Sequence, residues 1–339
     1  MRPVLIFFGK DLVPRRPLTL IATVAVAVAV AAAATVAAAG CADDAPSATH
    51  DARLGVVASF FPLRDAAERV GGEHVEVTDL TPSGTEPHHI ELTPRQTGAL
   101  SRADVVLYLS HGFQPHVEKA VGALPSTVRR VDLLDGQALR PADTGIPGVR
   151  GEVDGGAGDA LTGGGDPHVW LDPQRHIIAV QAVADAFAAA DPAHGDDYRR
   201  NAARYVASLQ RLDRDFATTL GACRSTVLVT SHAAFGYLAD RYGLTQAAIA
   251  GITPEDEPDP ASLAALARYA RGKGVRTVYF ETLVPGRLSR TLAREIGAGT
   301  DLLNPIEGLT REEEARGVGY VELQRDNLAR IAKGLGCAQ

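Results

Sequence analysis

Short, almost wholly apolar strands alternating with helices constrain this chain more than any other feature. Asp104-Val105-Val106-Leu107-Tyr108-Leu109 has the composition of a strand covered on both faces. Leu54 to Ser59, His74 to Leu80 and Val128 to Leu134 read as further strands, and helical stretches at Pro62 to Val70, Pro94 to Ser101 and Gln114 to Val121 separate them. The alternation returns later. Strands are expected at Thr226 to Thr230, Gln246 to Ile252, Val275 to Phe280 and, briefly, Leu302 to Pro305. Helices are expected at Ala233 to Tyr242, from Asp259-Pro260 to Arg271, at Arg287 to Ile296 and within Gly319 to Leu335. This order predicts an α/β fold of two lobes with mainly parallel sheets. Functional loops in such sheets lie at the carboxyl ends of the strands.

Two helices fill the middle of the chain. From Pro173 to Ala190 the residues Ile177, Val180, Val183, Ala184 and Phe187 recur at helical spacing, and Asp191-Pro192 breaks the run. A second helix, Asp196 to Leu220, carries the stripe Tyr198, Ala202, Tyr205, Leu209, Leu212 and Phe216. At about 1.5 Å per residue it is roughly 37 Å long, enough to serve both lobes as one rigid rod. The expected division is an N-terminal lobe over 54–190, the connecting helix over 191–221 and a C-terminal lobe over 222–339. Residues 135–165 are rich in Gly, Asp and Pro and exceed an ordinary loop, so a flexible surface insertion is expected there.

The first forty residues read as an export signal. Arg2, Lys10, Arg15 and Arg16 precede an uncharged run from Leu18 to Gly40 that ends in small residues before Cys41. Ala38-Ala39-Gly40-Cys41 resembles a bacterial lipobox, with Ala38 where that pattern usually has Leu, and the resemblance implies lipidation at Cys41, with 41–53 as the lipidated end and its small, polar tether. A single membrane span is the alternative reading of the same run. Either way the remaining chain is placed outside the cytoplasmic membrane, anchored on its outer face or periplasmic. The formal net charge of −7 argues against nucleic acid, whose binding needs positive charge facing the phosphates. Cys223 and Cys337, the other two thiols, suit a disulfide in an oxidising compartment, tying the C-terminal helix to the start of the second lobe.

Three histidines share a local design. His88 follows Pro87, His168 follows Asp166-Pro167 and is followed by the lone Trp170 and by Asp172-Pro173, and His232 follows the strand ending at Thr230. Each sits where an extended segment turns toward a helix, and proline stiffens two of the three junctions. Neutral imidazole is a good ligand for zinc and other borderline metals, and three of them with a carboxylate complete a four-coordinate shell. His89 must point away from its neighbour if the backbone is extended. His111 and His116, near a strand end and in a helix, read as ordinary residues of the first lobe, with a place at the rim of the entrance as the alternative, and Trp170 and Phe235 read as packing against the histidines.

Pro87-His88 with Leu92-Thr93-Pro94, Gly165-Asp166-Pro167-His168-Val169-Trp170-Leu171-Asp172-Pro173, and Ser231-His232-Ala233-Ala234-Phe235-Gly236-Tyr237-Leu238-Ala239-Asp240-Arg241-Tyr242-Gly243-Leu244 resemble the solute-binding lipoproteins of bacterial zinc and manganese ABC transporters. The resemblance runs from about Leu54 to the C-terminus. It implies two lobes joined by one long helix, a metal site in the cleft between them, and His88, His168 and His232 as ligands. It also implies a fourth, acidic ligand in the loop after the last strand, matched best by Glu307, with Glu281 as the alternative or as a residue that orients His232. The chain departs from the pattern in one respect: the segment before the second ligand, often His-rich in zinc-binding members, offers only Asp135, Asp143, Glu152, Asp154 and Asp159. The implied function is capture of Zn(II) by a monomer and its delivery to a membrane permease. Mn(II) is the alternative cargo, disfavoured because its sites hold more oxygen ligands. A zinc-dependent hydrolase would need a general base and an open coordination position, and neither HExxH nor a nucleophile elbow is present. A surface adhesin that binds metal incidentally is the remaining alternative.

Overall fold

The computed structural model describes residues 53–143, 165–256 and 258–338. The expected signal over 1–40, Cys41 with nearly all of its tether, and residues 144–164 of the insertion lie outside the described residues. In the first lobe β1 (Leu54–Ala58), β2 (Val75–Asp79), β3 (Val105–Tyr108) and β4 (Arg129–Asp132) form a parallel sheet in the order β2-β1-β3-β4. The helices α1 (Phe61–Gly71), α2 (Pro94–Arg102) and α3 (Pro115–Gly122) connect them. Two long helices follow, α4 (Pro173–Ala190) and α5 (Gly195–Leu220).

The second lobe repeats the plan. Its strands β5 (Val227–Thr230), β6 (Thr245–Ala248), β7 (Thr277–Phe280) and β8 (Gly299–Leu302) form a parallel sheet in the order β6-β5-β7-β8. Its helices are α6 (Gly236–Arg241), α7 (Pro260–Gly272), α8 (Arg287–Ile296), α9 (Arg311–Arg316) and α10 (Tyr320–Leu335). The two strand orders are equivalent, so each lobe has a switch point beside its first strand where a ligand can meet the carboxyl ends. Among the described residues, no helix is long and apolar enough to cross a membrane.

Local chemistry explains the helix starts. Thr93 and Gln96 form a capping box at α2, and Asp172 accepts the Gln174 N–H at α4 with Pro173 in the first turn. The stripe on α5 is buried as its spacing requires. Three segments depart from expectation. The helix after β5 begins at Gly236 rather than Ala233, because the Thr230 hydroxyl bonds the His232 carbonyl and the Ala233 N–H is spent on Gly251 O. The last strand ends at Leu302 instead of running from 302 to 305. Asn304 folds its own side chain onto the Ile306 N–H and Pro305 has none to give, so the ladder stops. The short α9 was not anticipated, although Thr310 and Glu313 spell a capping box.

Direct bonds join the two lobes. Arg64 grips Glu314 with two bonds of 3.0 and 2.7 Å, Ser83 donates to the same carboxylate, and the Gly84 N–H donates to Leu309 O at 2.7 Å. At the chain end a disulfide joins Cys223 to Cys337 across a sequence separation of 114 residues. Closing a loop of that size restricts the unfolded chain. Reduction is expected to lower stability by about 2–5 kcal/mol, read as a lower urea midpoint in reductant than in its absence.

His176 on α4 is fully buried, stacked on Tyr320 at 4.2 Å, and its ring Nδ1 has no hydrogen-bond partner. Burial pushes its pKa down to about 4. The folded protein therefore holds this imidazole neutral where the unfolded chain would protonate it. Its contribution to stability is present above the ordinary value near 6.5 and is lost as pH falls from there toward 4, by up to about 3 kcal/mol. Urea unfolding of the metal-free protein at pH 7 and pH 4.5 should show a steeper loss for the wild type than for His176→Leu. Parallel losses would contradict this.

Candidate metal centre

The three histidines and Glu307 arrive from four separate segments. His88 lies in the loop after β2, His232 two residues beyond β5, and Glu307 five residues beyond β8. His168 precedes a single 3-10 turn, Val169–Leu171, that leads into α4. All four side chains are buried, at 3, 0, 0 and 2 % exposure for His88, His168, His232 and Glu307. Glu307 Oε1 lies 3.5 Å from His88 Nε2, 3.3 Å from His168 Nε2 and 3.2 Å from His232 Nε2. The Nε2 atoms of His168 and His232 are 3.3 Å apart, and the four donor atoms all fall within 4.8 Å of one another. Around a tetrahedral zinc with bonds of about 2.0–2.1 Å, neighbouring donors sit roughly 3.3 Å apart. Four of the six edges of the cage therefore already have nearly the length found in a zinc polyhedron. His88 Nε2 is buried without a well-formed hydrogen bond, and a cation at the centre would satisfy it. Among the described residues this is the one such grouping of His, Cys, Asp and Glu.

Carboxylates outside the cage hold two of the rings. Asp166 Oδ1 takes both the backbone N–H of His168, at 2.9 Å, and its ring Nδ1, at 2.8 Å. Glu281 Oε1 lies 2.6 Å from His232 Nδ1 and also accepts the His232 N–H and the Ser231 hydroxyl. Each contact turns Nε2 toward the centre and raises its basicity. Glu281 thus sits on the far nitrogen of His232, while Glu307 occupies the shared centre. Asp166 was missed at the level of sequence, although an Asp two residues before a His is the spacing at which one carboxylate reaches both groups. Phe113 packs edge-on to His88, and Trp170 lies 5.1 Å from the His168 ring centre.

The electrostatics are those of a cage prepared for positive charge. Burial works against ionisation of Glu307, but His232, His168 and His88 outweigh it and hold the carboxyl well below its usual range. Burial would lower His232, but Glu281 and Glu307 drive it well above the ordinary imidazole value. His168 is raised in the same way by Asp166 and Glu307, whereas burial dominates at His88 and lowers it to about 4. Glu86, beside the cage, is pushed up to about 9 by burial and then by Glu307, so it stays neutral and adds no second negative charge.

The other histidines considered as candidates stay outside. His89 is exposed and faces Glu255 at 3.6 Å. His111, exposed at a left-handed φ of 63°, lines a separate surface cavity with Asp132 and Arg140, and His116 is exposed on α3. Neither belongs to the four-donor grouping. Phe235 is fully buried in the main core, at 0 % exposure, with Trp170.

Two parallel-sheet lobes that aim their strand ends at one closed, buried polar cage define a solute-binding protein whose solute is no larger than a bare cation. The chain belongs to the ZnuA family, the periplasmic component A of zinc-uptake complexes, whose family profile matches residues 56–334. It is similar to the high-affinity zinc uptake system protein ZnuA of Bacillus subtilis, with 33% identity over 307 residues, 88% of this chain and 93% of that protein. It is 35% identical over 282 residues to the zinc-binding lipoprotein AdcA of Streptococcus pneumoniae, covering 82% of this chain but only 55% of AdcA. The crystal structure of the Zn(II)-bound ZnuA-like domain of that AdcA superposes with a TM-score of 0.69 at 33% identity, over 84% of this chain and 99% of the domain. The laminin-binding protein of Streptococcus agalactiae, described as a bifunctional adhesin and metal transporter, gives 0.71 at 26% identity over 83% of this chain and 98% of that one.

Proposed function

We propose that this protein captures Zn(II) outside the cytoplasmic membrane and delivers it to an ABC-type permease, with His88, His168, His232 and Glu307 as its ligands. The observation that carries the proposal is the set of three imidazole nitrogens around one buried carboxylate oxygen at tetrahedral spacing. Nitrogen donors in the majority favour Zn(II) over Mn(II). Four protein donors leave no position for a reactive water, as expected of a carrier in a transport family rather than a hydrolase. The working unit is a monomer tethered through lipidated Cys41, with lobes over 54–190 and 222–339 flanking the connecting helix at 191–221.

Metal analysis of the purified mature protein, followed by competitive titration with Zn(II) and Mn(II), tests this directly. One equivalent of Zn(II) should be held far more tightly than Mn(II). A protein that takes up no stoichiometric zinc, or prefers manganese, would overturn the assignment.

A further inference from the structure

Ile306, immediately before Glu307, has φ 57°. A β-branched side chain in the left-handed region is a genuine outlier, and such a residue persists only where its surroundings over-determine it. Here four nearby backbone groups are held. Asn304 Oδ1 accepts the Ile306 N–H at 2.8 Å, and Trp170 Nε1 donates to Pro305 O at 2.8 Å. Asn327 grips Asn304 twice, its Oδ1 accepting the N–H at 2.9 Å and its Nδ2 donating to the carbonyl at 2.6 Å.

Asn327 does not act alone on its helix. Tyr320, Gln324 and Asn327 lie four and three residues apart on one face of α10, exposed by 0, 0 and 1 %. The Tyr320 hydroxyl donates to Trp170 O, and Gln324 Nε2 donates to Leu171 O at 3.2 Å and to the Tyr320 hydroxyl at 2.9 Å. One buried polar face therefore holds the turn that follows His168 and the loop that carries Glu307. None of these side chains reaches the centre of the cage.

We propose that the Tyr320, Gln324 and Asn327 face of α10, with Trp170, is the positioning template of the metal site. It fixes the His168 turn and residues 304–306 in one frame, and it keeps Ile306 left-handed so that the Glu307 carboxylate is delivered to the cation. The inference rests on the assignment of His168 and Glu307 as ligands.

A double-mutant cycle separates this role from a merely structural one. Zn(II) affinity is measured by chelator competition for wild type, Asn327→Ala, Trp170→Phe, Glu307→Gln and each pair with Glu307→Gln. Thermal unfolding of the metal-free proteins and the visible absorption of their Co(II) forms are recorded alongside. Asn327→Ala and Trp170→Phe should each weaken Zn(II) about 10–100-fold, add nothing in the Glu307→Gln background, and shift the Co(II) spectrum toward that of Glu307→Gln. Wild-type affinity in both variants, or full additivity with Glu307→Gln, would overturn the template. Should Asn327→Ala fail to fold, Trp170→Phe decides, since it keeps an aromatic ring in the core while removing the bond to Pro305 O, and the thermal unfolding recorded alongside reads the lost ring volume separately. A Glu307→Gln protein indistinguishable from wild type would instead sink the ligand assignment itself, and the template with it.

Discussion

His168→Ala is expected to lose more than about a hundredfold in Zn(II) affinity, beyond the 10–100-fold typical of changes to residues that merely support ligands. Two effects combine. The cage loses one of its four donors, and Asp166, at 2 % exposure, keeps the backbone N–H of residue 168 but loses the ring it had also held. Isothermal titration or chelator competition reads the loss, and circular dichroism checks that the lobes still fold. Tight stoichiometric binding in this variant would mean that the proposed site is not where zinc resides.

Glu281→Gln is expected to cost about 10–100-fold in Zn(II) affinity at alkaline pH, and to change how affinity depends on pH. Zinc ligands must be deprotonated, so binding expels any proton the metal-free cage holds. In the wild type, burial disfavours a charged His232, but Glu281 and Glu307 prevail and keep it protonated well above its ordinary range. Affinity should therefore fall by about tenfold for each pH unit of acidification per proton expelled. With the Glu281 carboxylate gone, burial regains ground, His232 gives up its proton more readily, and the variant should show the shallower slope. The gap between the two proteins is then widest at high pH and narrows as pH falls. Proton release measured by titration in buffers of different ionisation enthalpy checks this, and equal slopes would contradict it.

Much of this arrangement was legible in the sequence, for identifiable reasons. The three histidines stand out because proline or a strand end fixes the backbone beside each of them. The stripe from Tyr198 to Phe216 marks α5 because a helix of that length leaves little doubt about its period. The choice between Glu281 and Glu307 was not legible. Both follow strands of the second lobe, and only the fold shows that one carboxylate reaches the far nitrogen of His232 while the other lies among three Nε2 atoms. The displaced end of β8 escaped notice for a related reason. Gly299–Leu302 is a half-exposed edge strand with little apolar patterning, and the turn that ends it depends on the Asn304 side chain and on Asn327, 23 residues further on. The role of the polar face on α10 was hidden too, since Tyr, Gln and Asn at helical spacing read as an ordinary solvent-facing pattern until the partners are seen.

The bonds that cross between the lobes bear on how the cargo leaves. Gly84 ties the loop of His88 to Leu309, two residues beyond Glu307, and Arg64 and Ser83 reinforce the tie through Glu314. Segments joined in this way cannot drift apart one at a time, so spontaneous escape of the ion requires several of these links to open together, a rare local unfolding event. Long residence is the expected result: a loaded molecule diluted into zinc-free buffer should keep its passenger. A permease that receives the ion, as proposed above, would have to open these links.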